Sequence, residues 1–492
     1  MNVSGNASGV SAANNFGLFL GPFLFAVFFA GEYAAIWTLG ESGSVIALGV
    51  WMLCWWVTEA VPIPVTALLP MILLPLMGVF EMGEATAPYA NPIIYLFMGG
   101  FIIALAMERN QLHLRIALNL IKFTGTRPDG IILGFYLATL FLSMWISNTA
   151  TAVMMLPIAL SILQLIQSTN PDLAGKKGFS NFAFALMLGI AYAANIGGVI
   201  TIIGTPPNVV LVGYMQELYG VSIDFSRWLL IGLPIGLIMG LLMYVLLVKV
   251  AYPNKLGHIA GSAKVIQEQL QALGPVSTAE IRTAGVLVMT ALLWILRNPL
   301  NKLLPNPFLN DTIIAMIGGV LVFLIPASRL QGRRLLDWKS MQQLPWGILL
   351  LFGGGMSLAK GMEAAGIIQG IGGYISENQW FSVAVLVLTL TAVSLFLTEV
   401  MSNVALVTIF LPVVMGIANG LGEEVLLFAI PVTMASSFAF MLPISTPPNA
   451  ILFSSGYIGM REMMKVGIVL NLLAILLLWI ASYSLIYWVY VR

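Results

Sequence analysis

Apolar residues along this chain come in long runs parted by short polar clusters, and most runs approach the roughly 20 residues that a helix needs to cross a bilayer. The runs predict crossings near 17–38, 43–58, 63–80, 92–108, 181–215, 228–250, 283–297, 311–326, 346–366, 428–456 and 464–490. Two further apolar pieces, 130–166 and 381–418, each carry a polar tripeptide near the centre. Both read as re-entrant hairpins that enter and leave on one side. The expected fold is an all-α polytopic membrane protein of about 11 transmembrane helices plus two re-entrant hairpins.

The polar interruptions repeat. Ser147-Asn148-Thr149 returns as Ser402-Asn403-Val404 after 255 positions, and the same interval separates Phe97-Met98-Gly99-Gly100 from Phe352-Gly353-Gly354-Gly355 and Pro157 from Pro412. Thr205-Pro206-Pro207-Asn208 returns as Thr446-Pro447-Pro448-Asn449 after 241. The 14 positions lost lie between Pro157 and Thr205, where the first copy alone has the polar stretch Pro171 to Gly178. An insertion confined to a loop is what a duplicated unit tolerates.

Each copy contains an odd number of crossings, so the second copy is expected to be inverted relative to the first. The organisation expected is an N-terminal segment with the first helix (1–42), a first inverted repeat (43–250) with a cytoplasm-facing hairpin at 130–166, a cytoplasmic linker (251–282) marked by Gly257, Gly261 and Gly274, and a second inverted repeat (283–492) with an outward-facing hairpin at 381–418. Inverted repeats whose interrupted helices meet near the midplane are the architecture of secondary transporters.

Composition agrees with the pattern. The chain is 59% hydrophobic and 8% charged with a mean hydropathy of +0.97, against roughly 25% charged residues in soluble domains. A net charge of +1 argues against a nucleic-acid partner, and the single cysteine, Cys54, excludes an intrachain disulfide or a thiolate metal cage. Cys54 reads as a small core side chain and Trp55-Trp56 as a membrane-interface mark. Phe16 to Phe29 reads as part of the first span rather than a signal peptide. With the N-terminus in the cytoplasm and the C-terminus outside, most of the 21 basic residues fall in inside loops, as the positive-inside rule requires. The expected location is a multi-pass position in the cell (inner or plasma) membrane.

The candidate chemistry lies in the interruptions. Thr205-Pro206-Pro207 and Thr446-Pro447-Pro448 must break their helices, because proline removes a donor and clashes with the preceding turn. Such backbone survives at membrane depth only against protein or a water-filled cavity. Carbonyl, hydroxyl and side-chain amide oxygens freed there suit a hard monovalent cation such as sodium, and freed amides at a half-helix N-terminus suit an anion. Neither tripeptide and neither Thr-Pro-Pro-Asn element holds an arginine or lysine. A multiply charged anion would lack a fixed counter-charge, which bound sodium would supply. His113 and His258, the only histidines, sit in or beside expected cytoplasmic segments, which disfavours a histidine proton relay.

Plainer readings compete. A lone Ser-Asn in a membrane helix is more often a helix–helix hydrogen bond than a ligand, but recurrence beside a duplicated Thr-Pro-Pro-Asn favours a site. Thr-Pro-Pro-Asn taken alone would be a kink with an Asn cap, and it lacks the ending of a phosphate loop. Gly353-Gly354-Gly355 reads as close helix packing. Glu399 lies three residues before Ser402 and takes a supporting role, since a carboxylate beside an anion would repel it. Lys360 and Glu363 either pair along a helix face or act in function. Glu59 and Glu108 lie near span ends, solvated or capping.

Together, Leu142-Ser143-Met144-Trp145-Ile146-Ser147-Asn148-Thr149-Ala150, Ile203-Gly204-Thr205-Pro206-Pro207-Asn208, Leu397-Thr398-Glu399-Val400-Met401-Ser402-Asn403 and Thr446-Pro447-Pro448-Asn449 resemble the divalent anion/sodium symporter family, which includes bacterial sodium-coupled dicarboxylate transporters. The match runs from about Trp51 to the C-terminus. The resemblance implies a homodimer with a fixed scaffold, a mobile transport domain built from the hairpins and broken helices, and elevator-type alternating access. It also implies one sodium site at Ser143, Ser147, Asn148 and the backbone of Gly204, and a second at Thr398, Ser402, Asn403 and the backbone of Ser445. Substrate carboxylates would meet Asn148, Thr149, Thr205, Asn403, Thr446 and Pro447. The basic segment from Arg109 to Arg127 looks like the arm helix bordering the transport domain. One departure is Val404, where the family pattern often has threonine.

The function expected is sodium-coupled symport of C4-dicarboxylates such as succinate, malate and fumarate, with sodium ions co-transported. The alternatives are a transporter of the same fold for citrate or sulfate, or a sodium-independent anion exchanger. A membrane enzyme would need a nucleophile, acid-base pair or metal cluster at a membrane face, and the short basic loops offer none. A channel would not need paired cation sites.

Overall fold

The computed structural model describes residues 12–33, 40–169, 176–254, 256, 262–303, 305, 308–328, 332–377 and 382–491. Regular structure among them is helical, with one isolated bridge between Pro326 and Arg334. The chain opens with α1 (Ala12–Tyr33) and α2 (Glu41–Thr58), followed by the short α3 (Ile63–Thr66), α4 (Leu69–Leu76) and α5 (Met82–Thr86). The first copy then runs through α6 (Pro92–Arg109), α7 (Leu112–Phe123), α8 (Pro128–Ser143), α9 (Asn148–Thr169), α10 (Lys177–Ile200), α11 (Pro206–Tyr219) and α12 (Phe225–Val245). The chain goes on through α13 (Ser262–Ala272), α14 (Thr278–Leu303) and α15 (Asp311–Leu324). The second copy continues with α16 (Trp346–Ala364), α17 (Ile367–Glu377), α18 (Val383–Leu397), α19 (Asn403–Gly420), α20 (Val425–Ser437), α21 (Pro447–Phe453), α22 (Met460–Ala481) and α23 (Tyr487–Tyr490).

The same element order occurs twice. α7 and α17, α8 and α18, and α9 and α19 start 255 positions apart, and α11 and α21 start 241 apart. Prolines set several of these starts: Pro92, Pro128, Pro206 and Pro447 each occupy a first helical position, where the missing N–H costs nothing. Asn91 caps α6, its Oδ1 accepting from Ile93 N at 3.0 Å.

Seven helices among the described residues are long and apolar enough to cross a bilayer, or eight if α16 and α17, bent by 61°, count as one span. The all-α polytopic fold is thus what the apolar runs produce. Their details differ in places. The run at 63–80 gives only α3 and α4, which end at Leu76 and are too short to span as a straight helix. The runs at 181–215 and 428–456 each give two helices parted by a break. The expected linker contains α13, which packs its buried Ile266 inward. Gly257, Gly261 and His258 lie outside the described residues.

The broken helices form the centre of the molecule. From Ala185 to Val210 every residue except Pro206 is buried, and so is every residue from Val425 to Phe440. Apolar side chains such as Phe19, Leu241, Val288 and Leu472 point outward from α1, α12, α14 and α22, as a lipid-facing surface requires. Small residues let helices approach closely: a Cβ on Gly99 would lie 2.7 Å from the Ala315 backbone, and one on Gly354 would lie 2.1 Å from the Ala67 carbonyl oxygen. The glycine run therefore packs helices. Two aromatic and thiol readings are corrected. Trp56 is 1% exposed, its indole nitrogen donating to the Ile63 carbonyl at 3.3 Å, because the chain turns back over it at α3. Cys54 is only half-buried, since its face of α2 is not fully covered.

Candidate functional site

A cavity of about 610 Å³ opens at the centre, within the usual range for small-molecule sites. Trp56, Glu59, Ile63, Phe97, Phe101 and Ile348 form one part of its wall, and the two bends and two helix breaks form the rest. No lysine, arginine or histidine is among the residues lining it.

The bends are built alike. Ser143 ends α8, Asn148 opens α9, and the turn between them brings the Ser143 hydroxyl to donate to Asn148 Oδ1 at 2.8 Å. Thr398 and Asn403 repeat that contact at 2.8 Å between α18 and α19. Ser143 and Thr398 are fully buried behind the cavity, while Ser147, Asn148, Thr149, Ser402 and Asn403 line it. The Thr398 hydroxyl also lies 2.6 Å from the Ser436 carbonyl. One hydroxyl carries one proton, so it can donate to only one of these two acceptors at a time.

Glycines press the first bend against the first break. A Cβ on Gly198 would stand 2.6 Å from Asn148 Oδ1, and one on Gly204 would stand 2.5 Å from the Gly198 carbonyl oxygen. Gly204, Thr205, Ser445, Thr446 and Pro447 all line the cavity. Thr205 (φ −144°, ψ 141°) and Thr446 (φ −143°, ψ 149°) open α11 and α21 from almost the same extended conformation.

The asparagines of the two Thr-Pro-Pro-Asn elements satisfy the backbone that their prolines disrupt. Asn208 Nδ2 donates to the Thr201 carbonyl at 2.8 Å. Asn449 Nδ2 donates to the carbonyls of Ala439 at 2.9 Å and Leu442 at 3.1 Å, and to Ser445 Oγ at 3.0 Å. The second break, 438–446, is the longer, and its amides need an acceptor. Glu399 supplies it: Oε1 accepts from Phe440 N and Met441 N at 2.9 Å, and Oε2 accepts from Leu442 N at 3.1 Å. The first copy has Met144 at the corresponding position, with no side-chain acceptor to offer; there the Met144 carbonyl accepts from Thr201 Oγ1 at 2.6 Å. Glu399 is 4% exposed and stands behind the cavity wall. The sequence suggests a supporting role for it, and the break is what it supports.

Other polar residues, Glu59 excepted, sit away from the cavity. Lys360 pairs with Glu217 at 3.7 Å, not with Glu363, and rests 5.8 Å over the Phe80 ring, because α11 packs on α16 at that level. Glu217 also accepts from Asn91 Nδ2 at 3.0 Å. Glu59 is exposed at the cavity edge and caps the C-terminus of α2 in the left-handed region at φ 49°. Glu108 is half-buried at the end of α6. His113 Nδ1 contacts the Met107 carbonyl at 3.0 Å. Arg109, at the end of α6, contacts Asp337 at 2.5 Å, and Arg115 on α7 pairs with Glu280 on α14, so α6 is fastened to the turn at Asp337 and α7 to α14. Asp337 lies outside the spans, and its bonds from Arg109 and Ser340 hold its carboxyl below the usual range. Sequence reading missed α17, the counterpart of α7, and two site-shaping residues, Gly198 and Asn195. Gly198 could have been found from its place in a Gly-Gly pair just before the first break.

A helical membrane protein whose central cavity is framed by paired bends and paired helix breaks is a secondary transporter in layout. The chain belongs to the sodium:sulfate symporter family: residues 41–492 match the family described as the sodium:sulfate symporter transmembrane region, the divalent anion/sodium symporters of the sequence reading. The sodium-dependent dicarboxylate transporter SdcS of Staphylococcus saprophyticus subsp. saprophyticus is 40% identical over 476 residues, covering 96% of this chain and 91% of that protein. The protein of the same name in Staphylococcus aureus is 38% identical over 477 residues, with the same 96% and 91% coverage. Among solved structures, the YdaH transporter of Alcanivorax borkumensis aligns with a TM-score of 0.56 at 13% identity over 85% of this chain and 88% of that one. MtrF of Neisseria gonorrhoeae aligns with a TM-score of 0.56 at 12% identity over 85% of each chain. At those identities the likeness is one of fold alone.

Proposed function

We propose that this chain is a sodium-coupled importer of C4-dicarboxylates such as succinate, malate and fumarate. One observation carries the reading: two matching hydroxyl–amide pairs, Ser143 with Asn148 and Thr398 with Asn403, back onto a cavity whose lining residues include no basic side chain. A dianion taken there from water would be uncompensated, and burying an unpaired charge is strongly unfavourable. Sodium ions held by the same bends supply the missing positive charge. Each ligand then improves the binding of the other, which is coupling in the thermodynamic sense. The names of the staphylococcal relatives support both the cation and the anion class.

In this reading Ser143, Ser147, Asn148 and the Gly204 backbone hold one sodium, and Thr398, Ser402, Asn403 and the Ser445 backbone hold the other. Asn148, Thr149, Thr205, Asn403, Thr446 and Pro447 meet the substrate carboxylates. The two copies are inverted, with the 130–166 hairpin open to the cytoplasm and the 381–418 hairpin open to the outside. The N-terminus is cytoplasmic and the C-terminus outside. The hairpins and broken helices move as one body against a scaffold of α1–α6 and α14–α16, in a homodimer that keeps the scaffold still. Matching bends in both copies support the repeat reading, and the short, basic-flanked α7 supports an arm at the boundary.

The test is labelled succinate uptake into proteoliposomes with and without an inward sodium gradient, for the wild type, Asn148→Ala and Asn403→Ala. Sodium-driven uptake lost in both variants is expected. Uptake indifferent to sodium would sink symport in favour of exchange, and uptake of citrate or sulfate but not succinate would overturn the substrate class.

A further inference from the structure

Asn195 lies on α10, in the first copy, yet its side-chain partners all belong to the second. Its Nδ2 lies 3.2 Å from the Ala439 carbonyl, 3.1 Å from Thr446 Oγ1 and 3.3 Å from Asn449 Oδ1, so its two protons are shared among three acceptors, Thr446 Oγ1 being the nearest. The Ala439 carbonyl can only accept, which fixes the amide with its nitrogen toward the second break. Asn195 is 1% exposed and lines the cavity.

The consequence falls on Thr446. Its Oγ1 accepts from Asn195 Nδ2 and, at 3.4 Å, from Asn449 N. A hydroxyl has two lone pairs and one proton, so with both acceptor positions engaged the O–H is left to donate elsewhere. Thr446 is itself a cavity residue. The Thr205 side chain makes no cap hydrogen bond to α11, so the arrangement is particular to the second copy.

We infer that Asn195 is a positioning and specificity-determining residue for the anion: it turns the Thr446 hydroxyl proton toward the cavity, where it donates to a substrate carboxylate. The inference rests on the dicarboxylate reading and extends it to a residue outside the duplicated motifs. It also accounts for why an asparagine is buried at a point where a plain tether already exists. Tyr192, one turn earlier on α10, holds the same break by donating to the Phe440 carbonyl at 2.6 Å, so its hydroxyl proton is not directed at Thr446. The two residues therefore separate a tethering role from an orienting one.

The experiment is a double-mutant cycle on succinate uptake at saturating sodium in proteoliposomes: wild type, Asn195→Ala, Thr446→Val and the double variant, with Tyr192→Phe as the tether control and size-exclusion profiles to certify folding. Asn195→Ala is expected to raise KM about tenfold, the size of a lost hydrogen bond to a charged group, while the maximal rate falls less than KM rises. The double variant should be no worse than Thr446→Val alone, and Tyr192→Phe should leave KM within about twofold of wild type. If Asn195→Ala does not fold, Asn195→Ser takes its place in the cycle. Additive effects of the two changes, an unaltered KM, or a KM rise of equal size in Tyr192→Phe would each overturn the inference. Wild-type protein that takes up no succinate with sodium would instead overturn the dicarboxylate reading, and this one with it.

Discussion

Asn471 Nδ2 donates to Glu399 Oε1 across 2.8 Å, fixing a buried carboxylate against three consecutive backbone amides of the second helix break. Two carboxylate oxygens thus accept four hydrogen bonds. Glu399→Gln keeps the shape but leaves one oxygen to serve four donors, so at least one donor goes unmet at about 1–3 kcal/mol. The expected result is a lower unfolding temperature in detergent, with sodium activation moved to higher concentration because the break carries Ser445. Thermal unfolding by tryptophan fluorescence, with and without sodium, measures both. A variant with wild-type stability and wild-type sodium response would remove Glu399 from this role.

Gly198 tests whether Asn148 needs its present place. A methyl added there would lie 2.6 Å from Oδ1 and 2.8 Å from Nδ2 of Asn148, closer than atoms can approach, and would push the amide off the site. Gly198→Ala should raise the sodium concentration for half-maximal uptake about tenfold, equivalent to roughly 1.4 kcal/mol. Gly240→Ala is the control, since its nearest contact is the flexible end of Leu140 at 3.1 Å. Equal sodium responses in the two variants would mean that Asn148 tolerates displacement.

Legibility in the sequence depended on how few outcomes a residue allows. A Pro-Pro pair inside an apolar run can only break a helix, so both breaks and both bends were readable, and the 255-position interval tied them into copies. Backbone partners left no such trace. Glu399 reaches amides 41 to 43 residues away, and nothing in the side-chain pattern marks residues 440–442 as its destination. Lys360 shows only Glu363 as a sequence neighbour, while its partner Glu217 sits on another element. Trp56 resembles an interfacial tryptophan until α3 folds back over it. α17 has 11 residues with glycines at 370, 372 and 373, too short and interrupted to register as a membrane element.

Arg297 holds two acidic residues where α12, α14 and α15 meet. It pairs with Asp224 and, at 2.9 Å, with Asp311, whose Oδ2 accepts from Phe225 N at 2.7 Å. All three side chains are at most 15% exposed. Arg297→Ala would leave two carboxylates together without a counter-charge, a loss of about 3–5 kcal/mol. Folded yield after extraction should drop sharply, with Arg297→Lys in between because it keeps the charge and loses the fork. Wild-type yield and melting temperature for Arg297→Ala would show that the cluster is hydrated and carries little of the fold's stability.

Val404 and Thr149 occupy matching places in the two tripeptides, and both line the cavity. The Val404 carbonyl accepts from Thr408 Oγ1 at 2.7 Å, so the backbone is anchored and a change of side chain need not move it. Val404→Thr adds one hydroxyl to the cavity wall, beside the proposed anion site. A net hydrogen bond of about 0.5–1.5 kcal/mol lowers KM for succinate roughly two- to tenfold at saturating sodium. Thr149→Val should raise KM by a similar factor, and the two changes combined should nearly cancel if both copies contact the dicarboxylate. A KM untouched by either change would place the carboxylates away from the third tripeptide position and leave substrate choice to the bends and breaks.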